Sequence, residues 1–175
     1  MLKRLFKQRP AQVAGQALYA ATVAQARNPA LYVDYGAPDT PEGRFEVYSL
    51  HIYLVLQRLK EQGPQAAEVA QALFDTYLSA LDNSLREMAV GDLAVGKRMR
   101  KLGEAFYGRV NAYEKAFAAL PDRTELEALI ARTVHAGAET PRPAPFADYV
   151  LAQRAALAGQ PLEGLCAGEV AWSAR

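Results

Sequence analysis

Few side chains in this sequence are equipped for covalent or proton chemistry, and they are widely spaced. There are two histidines, His51 and His135, and one cysteine, Cys166. Nucleophilic catalysis needs Ser, Thr or Cys beside a base, and a metal site needs several ligands at short spacing. Neither pattern surrounds these three residues, and a lone cysteine excludes an internal disulfide. His51 lies in the most apolar stretch, "FEVYSLHIYLVLQRL". A hydrogen-bonded core histidine fits that setting better than a catalytic one. His135 ends a candidate helix, where the helix dipole favours a cation.

Charge is concentrated instead in "DNSLREMAVGDLAVGKRMRKLGEAFYGR", from Asp82 to Arg109. Asp82, Glu87 and Asp92 are the carboxylates whose spacing would permit acid–base work. Asp82 and Arg86, however, stand four residues apart on one helix and can pair at its surface. Asp92 is placed to cap a helix. The run "AVGDLAVGK" has glycines and a lysine but lacks the order of a phosphate-binding loop, and no strand precedes it. What remains is a surface. Lys97, Arg98, Arg100 and Lys101 crowd one turn, away from the apolar face. Gly96 and Gly103 share a side of that helix, each costing about 1 kcal/mol relative to alanine. Close packing inside the protein would offset that cost, and so would a groove for a partner's helix.

These residues must be positioned by helices. With 175 residues, 51% hydrophobic and 22% charged, the chain has the composition of one globular domain. Much of the apolar share is alanine and β-branched runs are scarce, which favours helix. "AQVAGQALYAATVAQARNP" predicts a helix over Ala11–Arg27, stopped at Asn28-Pro29. "YVDYGAPDTPEGR" is a loop that supplies the next start: Thr40 as cap, Pro41 in the first helical position and Glu42 at the positive end. Phe45–Leu59 predicts a buried central helix, with a strand over "IYLVL" as the alternative. A further helix runs over Gln65–Ala89, with Phe74, Leu78, Leu81, Leu85 and Met88 on one face at four- and three-residue steps. Gly91 suits a left-handed helix stop and Asp92 caps the next helix. On that helix Val95, Met99, Leu102, Phe106, Val110, Tyr113, Phe117 and Leu120 form one apolar face. The two long helices predict an antiparallel hairpin over about 65–120. Pro121 and Asp122 open a shorter helix to His135, "GAETPRPAP" is a loop, and "FADYVLAQRAALAG" a last helix. The expected architecture is all-α: a basic segment over 1–10, a helical domain over 11–160 and a tail over 161–175 that folds back through Leu162, Leu165 and Trp172.

The net charge of +1 hides an asymmetry, because no acidic residue precedes Asp34 while Lys3, Arg4, Lys7, Arg9 and Arg27 do. The opening "MLKRLFKQRP" has no signal-peptide core, and no apolar run reaches the length of about 20 residues that spans a bilayer. A soluble, reducing compartment is expected, with Lys3, Arg4, Lys7 and Arg9 able to meet anionic lipid. The same segment is equally readable as a solubilising end.

Two separated motifs stand in order: Asp-Thr-Pro-x-Gly-Arg (Asp39, Gly43, Arg44) leading into an apolar helix, then Arg-Glu-Met-x-Val-Gly-Asp-x-x-Val-x-Lys (Arg86, Glu87, Gly91, Asp92, Val95, Lys97), followed by Tyr107-Gly108-Arg109. On these the chain, from about Gly15 to beyond Tyr113, resembles the ubiquinol–cytochrome c chaperone family; the tail after Pro143 matches weakly. The resemblance implies an all-helical, non-enzymatic assembly factor of respiratory complex III that binds newly made cytochrome b and needs no cofactor. It further implies ribosome contact and a small partner protein in mitochondrial members. This chain, with no mitochondrial-type extension, resembles a bacterial member, expected in the cytoplasm or peripherally at the inner face of its membrane. Partner contacts are expected at Arg86, Asp92, Lys97, Lys101 and Arg109, around a helical groove. Two other classes stay open. A ribosome- or RNA-surface binder would use Lys97–Lys101, although near-neutral charge argues against nucleic acid as main partner and DNA is not expected. An all-helical lipid or isoprenoid enzyme lacks the aspartate-rich cluster it would need.

Overall fold

A computed structural model of the chain describes residues 9–87 and 92–174, with backbone alone at 92 and 93. Among these residues there are helices and no strands. Helix α1 (Pro10–Ala26) starts with Pro10 in the first turn and stops before Pro29, which cannot donate to a helix. Asn28 Oδ1 accepts from Ala30 N at 3.0 Å and starts the single turn α2 (Ala30–Val33), an element that the sequence does not separate from its flanks.

Helix α3 (Pro41–Leu59) opens as the residue types dictate. Thr40 Oγ1 accepts from Gly43 N at 3.1 Å, Pro41 comes next, and Glu42 lies in the first turn. Gly43 has a reason beyond the cap: a β-carbon there would overlap the Pro38 carbonyl oxygen. Every residue from Ser49 to Val55 is buried, so this helix has no solvent face at its centre. That settles the helix-or-strand alternative at "IYLVL": α1, α4, α5 and α7 surround it.

The chain turns at Glu61 and Gly63, both with positive φ, into α4 (Pro64–Glu87). Helix α5 (Asp92–Ala118) runs back. Their register can be read from aromatic pairs. Phe74 meets Phe106 at 5.4 Å and Tyr77 meets Phe106 at 5.5 Å, ring centre to ring centre. The predicted antiparallel hairpin is therefore present, while Gly91, its expected turn residue, and the side chain of Asp92, its expected cap, lie outside the described residues. Leu85 and Val95 are buried near the tip but belong to no part of the central core cluster, so the hairpin reaches beyond the body.

Helix α6 (Thr124–Arg132) is shorter than expected, and α7 (Pro143–Ala158) starts within the stretch expected to be loop. His135 is consequently not a helix-end cation. It is buried beyond α6, donates from Nε2 to the Tyr35 carbonyl at 2.8 Å, and burial lowers its pKa. Arg58 of α3 fastens the end of α7, donating to Leu157 O and Gln160 O at 3.0 Å each. A short helix, α8 (Leu162–Cys166), comes after it. The last residues lie against the body: Gln153 exchanges hydrogen bonds with the Ser173 backbone, and Trp172 stands edge-on to His51 at 5.3 Å.

His51 is a core residue. Its Nδ1–H donates to Val47 O at 2.7 Å, which leaves Nε2 to accept from Tyr149 Oη at 2.6 Å. Tyr149 Oη in turn accepts from Gln25 Nε2 at 2.9 Å. The chain Gln25–Tyr149–His51 joins α1, α7 and α3 through the core with every participating atom paired.

Candidate functional site

Where α3 meets the hairpin, three helices leave a corner incompletely filled. Tyr53 and Leu56 of α3, Phe74 of α4, and Phe106, Tyr107 and Val110 of α5 wall a cavity of about 340 Å³. Gln57 and Gln71 stand at its edge, and the surface pair Lys60–Glu114, at 2.8 Å, closes one side. Burial of Tyr53 raises its pKa, so its phenol stays neutral. Tyr107 is 60% exposed, which is unusual for an aromatic beside the core. The arrangement is an apolar hollow with neutral polar edges, suited to an apolar side chain.

Gly96 and Gly103 extend this corner toward the hairpin tip. At about 100° per residue, Gly96, Gly103, Tyr107 and Glu114 fall on one line along α5, with Val110 beside it. A β-carbon at Gly96, Gly103 or Gly108 would meet nothing within 4 Å. Packing within the bundle therefore does not account for Gly96 and Gly103, and that expectation is corrected: among the described residues, no helix of this chain approaches them.

The residues expected to contact a partner divide. Lys97 and Lys101 are exposed, as are Arg98 and Arg100, and all four stand without an ion pair among the described residues. At the same rotation per residue Arg100 borders the glycine line, about 40° from Gly96, while Lys97 lies about 100° and Lys101 about 140° round the helix. Arg86 is exposed and donates from Nε to Asp82 at 2.7 Å, the (i, i+4) surface pair its spacing predicts. Arg109 turns inward and forms a two-pronged bond to Glu46 of α3, at 2.7 and 2.8 Å. Glu46 is only 12% exposed. This bond sets where α5 crosses α3 and so shapes the hollow. Truncating Arg109 leaves a mostly buried carboxylate unpaired. Arg109→Ala is therefore expected to lose about 2 kcal/mol in urea unfolding, and Glu46→Gln with Arg109→Gln less than the sum of the two single changes. Additive single effects would mean that the bond contributes nothing.

Of the basic N-terminal residues, Lys3, Arg4 and Lys7 lie outside the described residues. Arg9 is exposed, and its backbone N–H donates to Gln12 Oε1 at 3.2 Å. No described helix is long and apolar enough to cross a membrane, and among the described residues no His, Cys, Asp or Glu cluster could hold a metal ion.

Spacing marks Phe74, Phe106 and Val110 only as the hairpin seam. The hollow also needs Leu56 and Tyr53 from a distant helix, which no local pattern indicates. Tyr107 alone gives a signal, as an aromatic one step outside the apolar face.

Comparison with known proteins agrees with this architecture. The chain is similar to a solved structure described as the crystal structure of the Cbp3 homolog from Brucella abortus: 38% identical, with a TM-score of 0.85, over 99% of this chain and 97% of that one. No curated protein sequence matches the chain. The family model described as ubiquinol-cytochrome C chaperone matches residues 33–172. That match runs from α2 through the hairpin to Trp172 on His51, so it takes in all six walls of the hollow and the whole basic turn. The chain belongs to the ubiquinol-cytochrome C chaperone family.

Proposed function

We propose that this protein is a non-enzymatic chaperone that holds newly made cytochrome b and passes it to the assembling ubiquinol–cytochrome c reductase complex, respiratory complex III. The family supports the assembly role. The observation that carries the binding role is an apolar hollow walled in part by α5, together with four exposed cations nearer the tip of the same helix that make no ion pair among the described residues. An unassembled membrane protein presents apolar helices whose exposure to water is unfavourable, and a chaperone must cover some of that surface. Lys97 and Lys101, with Arg86 and Asp92, are the polar contacts that orient the client, and Arg109 holds the hairpin in place through Glu46. Exposed charges of this kind set orientation and association rate more than fold stability.

Crosslinking and affinity capture with the tagged protein from membranes of the source cell is expected to recover cytochrome b, and deletion to lower complex III. Neither effect appearing would refute the chaperone role. The double change Lys97→Glu with Lys101→Glu is expected to weaken capture of cytochrome b by about tenfold and leave thermal melting unchanged, because both side chains are exposed. Undiminished capture would remove these two residues from the contact surface. Capture of ribosomes instead, falling steeply with salt, would favour a ribosome-surface role for the same cations.

A further inference from the structure

The hollow between α3 and the hairpin and the glycine line that leads into it form one continuous track along α5. We propose that this track receives a single amphipathic helix of the client, with one apolar side chain anchored in the hollow and carboxylates lying over Arg100 and within reach of the long side chain of Lys97. The inference rests on the chaperone role for the identity of the client, but not for the chemistry of the occupant.

Three separate observations converge on that occupant. The hollow, at about 340 Å³, has room for one large apolar side chain, and Tyr107 stands exposed at its mouth. Gly96 and Gly103 present bare backbone to open space on the same line. A helix lying there can approach more closely than the usual 8–10 Å between helix axes. The charge is one-sided. The charged residues lining the hollow, Lys60 and Glu114, neutralise each other. On α5 between Val95 and Phe106, by contrast, Lys97, Arg98, Arg100 and Lys101 stand with a single carboxylate, Glu104. Charge complementarity therefore assigns acidic residues to the part of the occupant nearest the tip. At 1.5 Å per residue, Arg100 and Lys97 lie roughly 12–17 Å from the hollow, so the carboxylates should fall about eight to eleven residues from the anchor on a helix lying along α5.

Two measurements test this on the full-length protein in the source cell. A photo-crosslinking amino acid is placed at Tyr107, with Glu68 on the exposed side of α4 as control, and the crosslinked peptides are sequenced. The expected adduct from position 107 is a peptide with apolar residues at three- and four-residue steps and a carboxylate about eight to eleven residues from the crosslinked position. If that peptide comes from cytochrome b, the track and the chaperone role both stand. If it comes from another protein, the track stands and cytochrome b is not its occupant. A peptide of this same chain, a lipid adduct, a peptide without that pattern, or no adduct beyond the Glu68 control overturns the track. In the second measurement, Gly96→Ala and Gly103→Ala are combined. Methyl groups in open space should raise the melting temperature by about 2–4 °C for each kcal/mol gained, yet lower the yield of the Tyr107 adduct about tenfold because close approach is lost. An undiminished adduct from the more stable variant would likewise overturn it.

Discussion

Gly15→Val is expected to be among the most damaging single substitutions in this protein, although the site is one methyl-free position on an alanine-rich helix. Gly15 is buried in the contact between α1 and α4. A β-carbon there would lie 2.6 Å from both the Ala72 β-carbon and the Leu73 backbone nitrogen, and 2.7 Å from the Ala72 carbonyl carbon. Two of those three atoms are backbone of α4, so no rotamer change relieves the overlap and the helices must separate. Separation is opposed from the other side. Gly168, with φ of +92°, places the tail against α1, where its own β-carbon would sit 2.9 Å from that of Ala17. Helix α1 is thus held between α4 and the tail with no slack. Overpacking typically costs about 1–3 kcal/mol and more where backbone must move, so a loss of about 3–4 kcal/mol is expected. Urea unfolding checks it against Ala24→Val, a position on the same helix outside its buried set that should lose about 0.5 kcal/mol. Equal losses at the two sites would mean that the close approach of α1 to α4 is not a stability determinant.

Acid is expected to destabilise this protein through His51 before it does so through its carboxylates. His51 is fully buried, and desolvation takes its pKa down to about 4 from the ordinary 6.5, against a smaller raising influence from the Val47 carbonyl. The groups facing it, Tyr149 and Trp172, carry no charge to compensate a proton. Its folded pKa is depressed, so the unfolded chain binds the proton more tightly. The stability from neutral His51 is present in full above about pH 6.5 and is lost as the pH falls through about 4. The difference amounts to about 3 kcal/mol across that window. His135, also lowered by burial, acts in the same direction. Asp39 and Asp122, both held below the usual carboxylate range by hydrogen bonds from Arg44 and Thr124 respectively, lose their pairing only at lower pH. Chemical denaturation at about pH 7 and about pH 4.5 should therefore show a fall of about 2–3 kcal/mol. His51→Gln should be less stable at neutral pH, through loss of the Tyr149 bond, and should show a much flatter dependence. An unchanged slope in that variant would assign the acid sensitivity elsewhere.

The positions of the helices were legible in the sequence wherever the cause was local. Thr40, Pro41 and Glu42 write the start of α3 into adjacent residues, and the three- and four-residue stepping of apolar residues over α4 and α5 determines a hairpin whatever lies around it. The short elements were not legible. Helix α2 and helix α8 are each a single turn, with too few residues for a periodicity, and they persist because Leu31 and Leu165 are buried by the rest of the fold.

The candidate site divides along the same physical line. The charge of Lys97, Arg98, Arg100 and Lys101 is a property of residue type, and their placement off the apolar face comes from helix period, so the sequence alone determined a basic surface there. Three outcomes needed the third dimension. Arg109 has the same charge and lies on the same helix, but Glu46, distant in the chain, draws it inward. Gly96 and Gly103 share a side in any helix, yet whether that side is filled or open depends on where α3, α4 and α6, the helices packed on α5, run, and the tertiary structure leaves it open. A hollow is bounded by residues that meet only after folding, from Tyr53 to Val110, and its existence is decided by how three helices fail to close rather than by any one of them.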